Sequence, residues 1–152
     1  MSQTIDLLIK NGSCFIDGKL QKTDRAPLVH NLDSLPWTPY EMFDMKHYRM
    51  MRLPKNKTSD FCFPMMSARG CSFKCTFCYR MDPGYRKRSA ELLLDEVEML
   101  HKDYGITYIA FEDDLLMSSV SHTEEVCREF LKRNLPVKWW CNGRLNYCSE
   151  EL

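Results

Sequence analysis

The chain has little of several things that would otherwise narrow its class. No apolar run approaches the roughly 18 residues of a membrane-spanning helix, and the opening Met1-Ser2-Gln3-Thr4 has neither the basic head nor the apolar stretch of a secretory signal. There is no net charge, with 21 basic against 21 acidic side chains, so no overall field steers the chain to a membrane or to nucleic acid. No basic run is interleaved with aromatics, which also argues against a nucleic-acid partner. The 4 histidines, His30, His47, His101 and His122, form no spaced ligand pair and read as structural. These absences lead to the expectation of a soluble, cytoplasmic protein without a membrane partner, and 152 residues make one domain or part of a larger one.

Cysteine is the exception, with 8 residues. Without a secretory address they do not suggest a disulfide framework. Cys14, Cys62, Cys127, Cys141 and Cys148 are scattered and read as small buried hydrophobes or incidental thiols. The other three fall in one run, Arg69-Gly70-Cys71-Ser72-Phe73-Lys74-Cys75-Thr76-Phe77-Cys78-Tyr79. Thiolates ligate iron–sulfur clusters, so three of them can hold three irons of a four-iron cluster and leave the fourth open to a ligand that is not protein. Zinc normally takes two well-separated pairs, whereas here the gaps are three and two residues and no histidine pair follows. A redox dithiol would use Cys75 and Cys78 and leave Cys71 without a role. A bacterial ferredoxin run would continue with a cysteine where Asp82 stands, although Pro83 does follow.

Along the chain, residues 1–30 read as a small β-unit: Ile5–Ile9 and Cys14–Ile16 are apolar, and Asn11-Gly12 and Asp17-Gly18 are turn signals. Residues 31–60 have a linker's composition, with Pro36, Pro39 and a short Met- and aromatic-rich helix expected within Glu41–Met51. Residues 61–152 are regular. A strand is expected over Phe61–Met66, with Pro64 arguing against a central position. A helix capped by Ser89 spans Ala90–Tyr104 and ends at Gly105. A strand over Ile106–Phe111 follows, then a helix from the capping box Ser121-x-x-Glu124 to about Asn134, stopped by Pro136. Val137–Cys141 is the last strand. The alternation predicts an α/β fold with a parallel sheet. In such folds the C-terminal strand ends share one rim, where sites are built. The cysteine loop, Glu112-Asp113-Asp114 and Asn142-Gly143-Arg144 each follow a strand, and are expected together on that rim. The acids also suit a helix-initiating turn. Arg80, Arg86, Lys87 and Arg88 read as a solvated connection, or as a contact for an anionic substrate or a reductase.

Cys-x3-Cys-x-aromatic-Cys, with Phe77 as the aromatic, resembles the cluster loop of radical S-adenosylmethionine (SAM) enzymes. The resemblance implies a 4Fe–4S cluster on Cys71, Cys75 and Cys78, with the methionine end of SAM chelating the open iron. One electron then cleaves the sulfonium, and a 5′-deoxyadenosyl radical abstracts hydrogen from a small-molecule substrate. Phe77 is expected near the adenine, with Tyr79 beside it. Glu112, Asp113 and Asp114, with Asp113 foremost, are expected to meet the SAM amine, although Phe111-Glu112-Asp113-Asp114 replaces the family's frequent Gly-Gly-Glu. Arg144, with its planar donors, is expected at the SAM carboxylate or ribose, and Asn142 beside it. The implied fold is the N-terminal half of a partial (β/α)6 barrel, preceded by the β-unit and linker.

The stretch from Ile5 to Met45, with Asn31–Tyr40 and Ser67–Cys71, resembles the cobalamin-binding branch, in which such a segment joins an upstream cobalamin domain to the barrel. Phe111–Asp114 and Trp140–Arg144 resemble that branch's strand ends. Its members carry out methylation, rearrangement and oxidative cyclisation, and an electron donor such as flavodoxin or ferredoxin is implied. The Asp-x-His-x-x-Gly motif of many members is not in this sequence, and three strands are visible where the barrel has six. The chain is therefore expected to be a fragment carrying the cluster loop and part of the SAM site, with cobalamin belonging to the longer protein. Three other readings stay open, one of them a zinc-stabilised interaction module. A radical SAM methylthiotransferase would need further cluster cysteines, which Cys14 and Cys62 match poorly. An iron–sulfur electron-transfer module would need a fourth ligand, for which Cys141 is the rim candidate.

Overall fold

A computed structural model describes residues 13–16, 19–22, 27–53, 56–79 and 84–147. The expected strand Ile5–Ile9, the turns Asn11-Gly12 and Asp17-Gly18, and Cys148 lie outside the described residues. The chain divides into two units, Met1–His30 and Asn31–Leu152. In the first, β1 (Ser13–Ile16) pairs antiparallel with β2 (Lys19–Lys22), Ser13 opposite Lys22 and Ile16 opposite Lys19.

In the second unit, three strands form the parallel sheet that alternation predicts. They are β3 (Cys62–Met65), β6 (Tyr108–Phe111) and β7 (Lys138–Cys141), in the order β3-β6-β7. Between β3 and β6 the chain makes β4 (Ala68–Gly70) and β5 (Tyr85–Lys87), an antiparallel hairpin of their own. Central β6 is buried at every position, as a strand covered on both faces must be, and its sequence is accordingly uninterrupted apolar. Pro64 is accommodated because, among the described residues, β3 is an outer strand paired on one side only.

One face of the sheet is covered by two helices. Helix α2 (Ala90–Tyr104) starts where the Ser89 side chain accepts the Leu92 N–H, and ends at Gly105 in the left-handed conformation, φ 72°. Its Leu93, Leu94, Val97 and Leu100 bury against Phe63, Ile109 and Phe111. Helix α3 (Val120–Arg133) adds Val126 and Phe130, the latter stacked on Trp139 at 5.5 Å. Arg133 donates to Asp95 at 2.6 Å and ties α3 to α2. The α3 cap is Ser119 rather than Ser121: Ser119 Oγ accepts the His122 N–H at 3.2 Å, and Ser119 O accepts the Thr123 hydroxyl at 2.9 Å. Those two bonds occupy the start of the helix, so the box at Ser121 is unused. On the other face of the sheet, Cys62, Tyr108 and Ala110 cluster with Leu53, and burial pushes the Cys62 thiol up to about 11, as suits a small buried hydrophobe. Among the described residues, no helix is long and apolar enough to cross a membrane.

The proline-bearing stretch after Asn31 packs onto this framework. The helix expected within Glu41–Met51 is broken into a 3-10 turn, Tyr40–Met42, and the single turn α1 (Met45–Tyr48). Tyr40 lies edge-on to Phe63 at 5.6 Å, and its hydroxyl donates to Glu96 at 2.5 Å. Arg88 holds the other Glu96 oxygen. Burial first, and Glu96 second, hold the Tyr40 hydroxyl well above its ordinary range. Asp33 accepts the Ser89 N–H at 3.0 Å, so the segment is fastened to the start of α2 as well. Tyr40→Phe should cost about 1.5–3 kcal/mol in urea unfolding, the range for a hydrogen bond to a charged group, with an unchanged m-value.

His122, 1 % exposed, takes a hydrogen bond from the Lys87 ammonium at Nδ1 (3.0 Å), with Glu125 at 3.5 Å. Burial, then Lys87, push its pKa below 6.5, against the pull of Glu125. The unfolded chain therefore gains this proton before the folded one, and stability falls as pH drops through about 6.5. His122→Gln should flatten the dependence of urea stability on pH between about 7 and 5.

Candidate metal and cofactor site

The rim is built by three loops that leave the parallel strands at the same end. From β3 the chain passes through Ser67 into the β4–β5 hairpin, whose pairs Ala68–Lys87 and Gly70–Tyr85 hold the cysteine loop at its base. Gly70 sits at φ 75°, open to glycine, and Cys71 follows directly. The hairpin is not legible in the sequence, because three-residue polar strands carry no periodicity. It also gives the basic cluster specific partners. Lys87 reaches His122 and, at 3.3 Å, Glu125, while Arg88 reaches Glu96. Arg80 lies outside the described residues.

Asp113, at the end of β6, is 1 % exposed. Its carboxylate accepts the Ser67 N–H at 2.8 Å, the Ala68 N–H at 2.9 Å and the Ser67 hydroxyl. Burial pushes the carboxyl above its usual range, and the donors on Ser67 and Ala68 pull it back. The acid expected foremost at a ligand amine is thus taken up by the protein's own donors. Glu112 and Asp114, on either side, are exposed. Glu112 forms part of the wall of an apolar cavity of about 430 Å³, with Trp37, Phe43, Phe63, Met66 and Arg69. Asn142, after β7, donates to the Asp113 carbonyl at 2.8 Å and so joins the second loop to the third. Beside it, a Cβ on Gly143 would lie 2.5 Å from Met117 Sδ, a close approach that glycine permits.

Arg144 brings the third loop to the cysteines. Its Nη1 donates to Cys75 Sγ at 3.2 Å, its guanidinium carbon lies 3.8 Å over the Phe73 ring, and its Nε donates to Asn146 at 3.1 Å. Phe73 in turn meets Tyr147 at 5.9 Å. Cys71 and Cys75 are half-buried, Cys78 is exposed, and Phe77 and Tyr79 are 91 % and 87 % exposed. Among the described residues, no three His, Cys, Asp or Glu side chains are gathered as a metal-holding group, so the three thiols share a loop without converging on one point. The donor set itself suits cluster iron: three soft sulfurs, with no acid or histidine among them, on a loop closed at its base. Of the other cysteines, Cys141 packs with Trp139 against the helix-side core, and Cys62 is buried on the opposite face. The carboxylate contrast is testable by urea unfolding. Asp113→Asn places an amide NH2 among N–H donors and should cost about 1–3 kcal/mol, whereas Asp114→Asn should stay within about 0.5 kcal/mol.

Comparison with known proteins brings out enzymes. The chain is 27% identical to an "uncharacterized methyltransferase" of Pyrococcus horikoshii over 90% of its own length and 29% of that protein's. It is 30% identical to the anaerobic magnesium-protoporphyrin IX monomethyl ester cyclase of Cereibacter sphaeroides, over 88% of this chain and 22% of the cyclase. It is also 30% identical to the cytidylyl-2-hydroxyethylphosphonate methyltransferase of Streptomyces wedmorensis, over 79% of this chain and 27% of that enzyme. The chain thus spans between about a fifth and a third of these curated relatives. No family model and no solved structure matches it. By sequence, the chain is similar to part of methyltransferases and of a cyclase.

Proposed function

We propose that this chain carries the cluster loop and part of the SAM site of a radical SAM enzyme, one that methylates, rearranges or cyclises a small molecule. The observation that carries the reading is the three-thiol run Cys71, Cys75 and Cys78, on the loop that follows the first strand of a parallel sheet, with the Arg144 guanidinium on Cys75. The relatives named as methyltransferases and as a cyclase support it. Cys71, Cys75 and Cys78 would hold a 4Fe–4S cluster. When bound, such a cluster with one open iron supplies a low-potential electron to a sulfonium held there. Phe77 and Tyr79 are available to an adenine face, and Glu112 and Asp114 to an ammonium group, while Asp113 and Asn142 keep the loops in place. Cobalamin as a further cofactor, and an electron donor such as flavodoxin or ferredoxin, belong to the same reading. An electron-transfer module is less well supported, because it needs a fourth ligand and Cys141, half-buried, packs against the helix-side core.

The test is anaerobic reconstitution with iron and sulfide, followed by reduction and electron paramagnetic resonance with and without SAM. The reduced chain should give a cluster signal that changes on adding SAM. Cys75→Ala should abolish the cluster, and Cys141→Ala should retain it. A signal indifferent to SAM, or loss of iron in Cys141→Ala, would count against an open iron. Tight zinc without iron uptake would remove the reading altogether.

A further inference from the structure

Resting on that cofactor reading, we propose that Arg144 is a positioning residue for the cluster, holding Cys75 by an N–H···S bond that makes the bound cluster easier to reduce. Contacts that hold the guanidinium include the Phe73 ring beneath it at 3.8 Å, Asn146 on Nε at 3.1 Å, and Cys75 Sγ on Nη1 at 3.2 Å. A planar guanidinium can stack and donate in two directions at once, which a lysine ammonium cannot. Phe73 belongs to the same loop as the thiols, so the stack and the sulfur bond together register Arg144 against the cysteine run.

The electrostatics have a definite sign. A hydrogen bond from a cation draws electron density from a ligand sulfur, and reduction adds one negative charge next to that cation. Hydrogen bonds to sulfur are among the terms that set cluster potentials. Arg144 therefore favours the reduced cluster and shifts its midpoint upward. The role differs from the grip on a SAM carboxylate or ribose that its chemistry also allows. Here the Nη1 donor is directed at protein sulfur, from a half-buried position where such a bond is little screened.

The experiment is a potentiometric titration of the reconstituted full chain, followed by electron paramagnetic resonance, with iron and sulfide content measured on each sample. In R144Q the iron content should match that of the unaltered chain. Its midpoint should fall by about 59 mV, a tenfold loss in the ratio of reduced to oxidised cluster for one electron. R144K, which keeps charge without the planar fork, should fall between the two. Phe73→Leu, which removes the ring but not the charge, should shift the midpoint the same way by less. The SAM concentration needed to change the spectrum should be the same throughout. Unchanged midpoints in R144Q and Phe73→Leu would overturn the proposal. So would an unchanged midpoint with a weakened response to SAM, which would make Arg144 a nucleotide contact. If R144Q holds no cluster, R144K and Phe73→Leu decide by the same criterion. Absence of a cluster from the unaltered chain would overturn the cofactor reading, and this inference with it.

Discussion

One buried carboxylate connects the sheet to the loop that carries the thiols. Asp113 leaves the end of β6 and takes both backbone N–H groups of Ser67 and Ala68, together with the Ser67 hydroxyl. Those residues are the turn between β3 and the cysteine hairpin. They are desolvated there, and without an acceptor their N–H groups would carry the full cost of burial. The bond therefore fixes the angle at which the hairpin, and with it the cysteine run, departs from the rim. Asn142 completes the arrangement from the third strand by holding the Asp113 carbonyl.

The same sheet separates the packed core from the candidate site. Its helix-side face takes the apolar side chains of α2 and α3, so packing density and burial are satisfied away from the rim. The rim collects polar groups on short loops, where a side chain is held firmly but remains open to a ligand. Tyr40, Glu96 and Arg88 extend the framework outward by fastening the proline-bearing segment to α2 and to the residue that follows β5, and the apolar cavity bordered by Glu112 forms between that segment and β3. Arg144 crosses from the third loop to a thiol and so closes the rim from its far side.

The parts of the fold that can be read from the sequence are those governed by neighbours along the chain. Ser89 and Gly105 bound α2 because capping is a matter of three or four residues, and both caps are made as the residue types suggest. Pro64 signals an outer strand because a missing N–H is a local property, and β3 is outer among the described residues. Where two serines compete two positions apart, local rules favour the wrong one. Ser119 is the α3 cap because its backbone and hydroxyl can serve His122 and Thr123 together. The strand Tyr85–Lys87 has no local signal, because its register depends on Ala68–Gly70, across a loop with no period of its own.

By itself, then, the sequence determined the alternation that makes a parallel α/β sheet, and it set the spacing of Cys71, Cys75 and Cys78 on which the proposed cluster rests. Tertiary structure alone decided which of three consecutive acids is locked inside and which two face outward, and that Arg144 reaches Cys75. The physical reason is range. Asp113 finds its donors 46 residues back and Arg144 its sulfur 69 residues back, across contacts made only once the strands have paired and brought their ends to one edge.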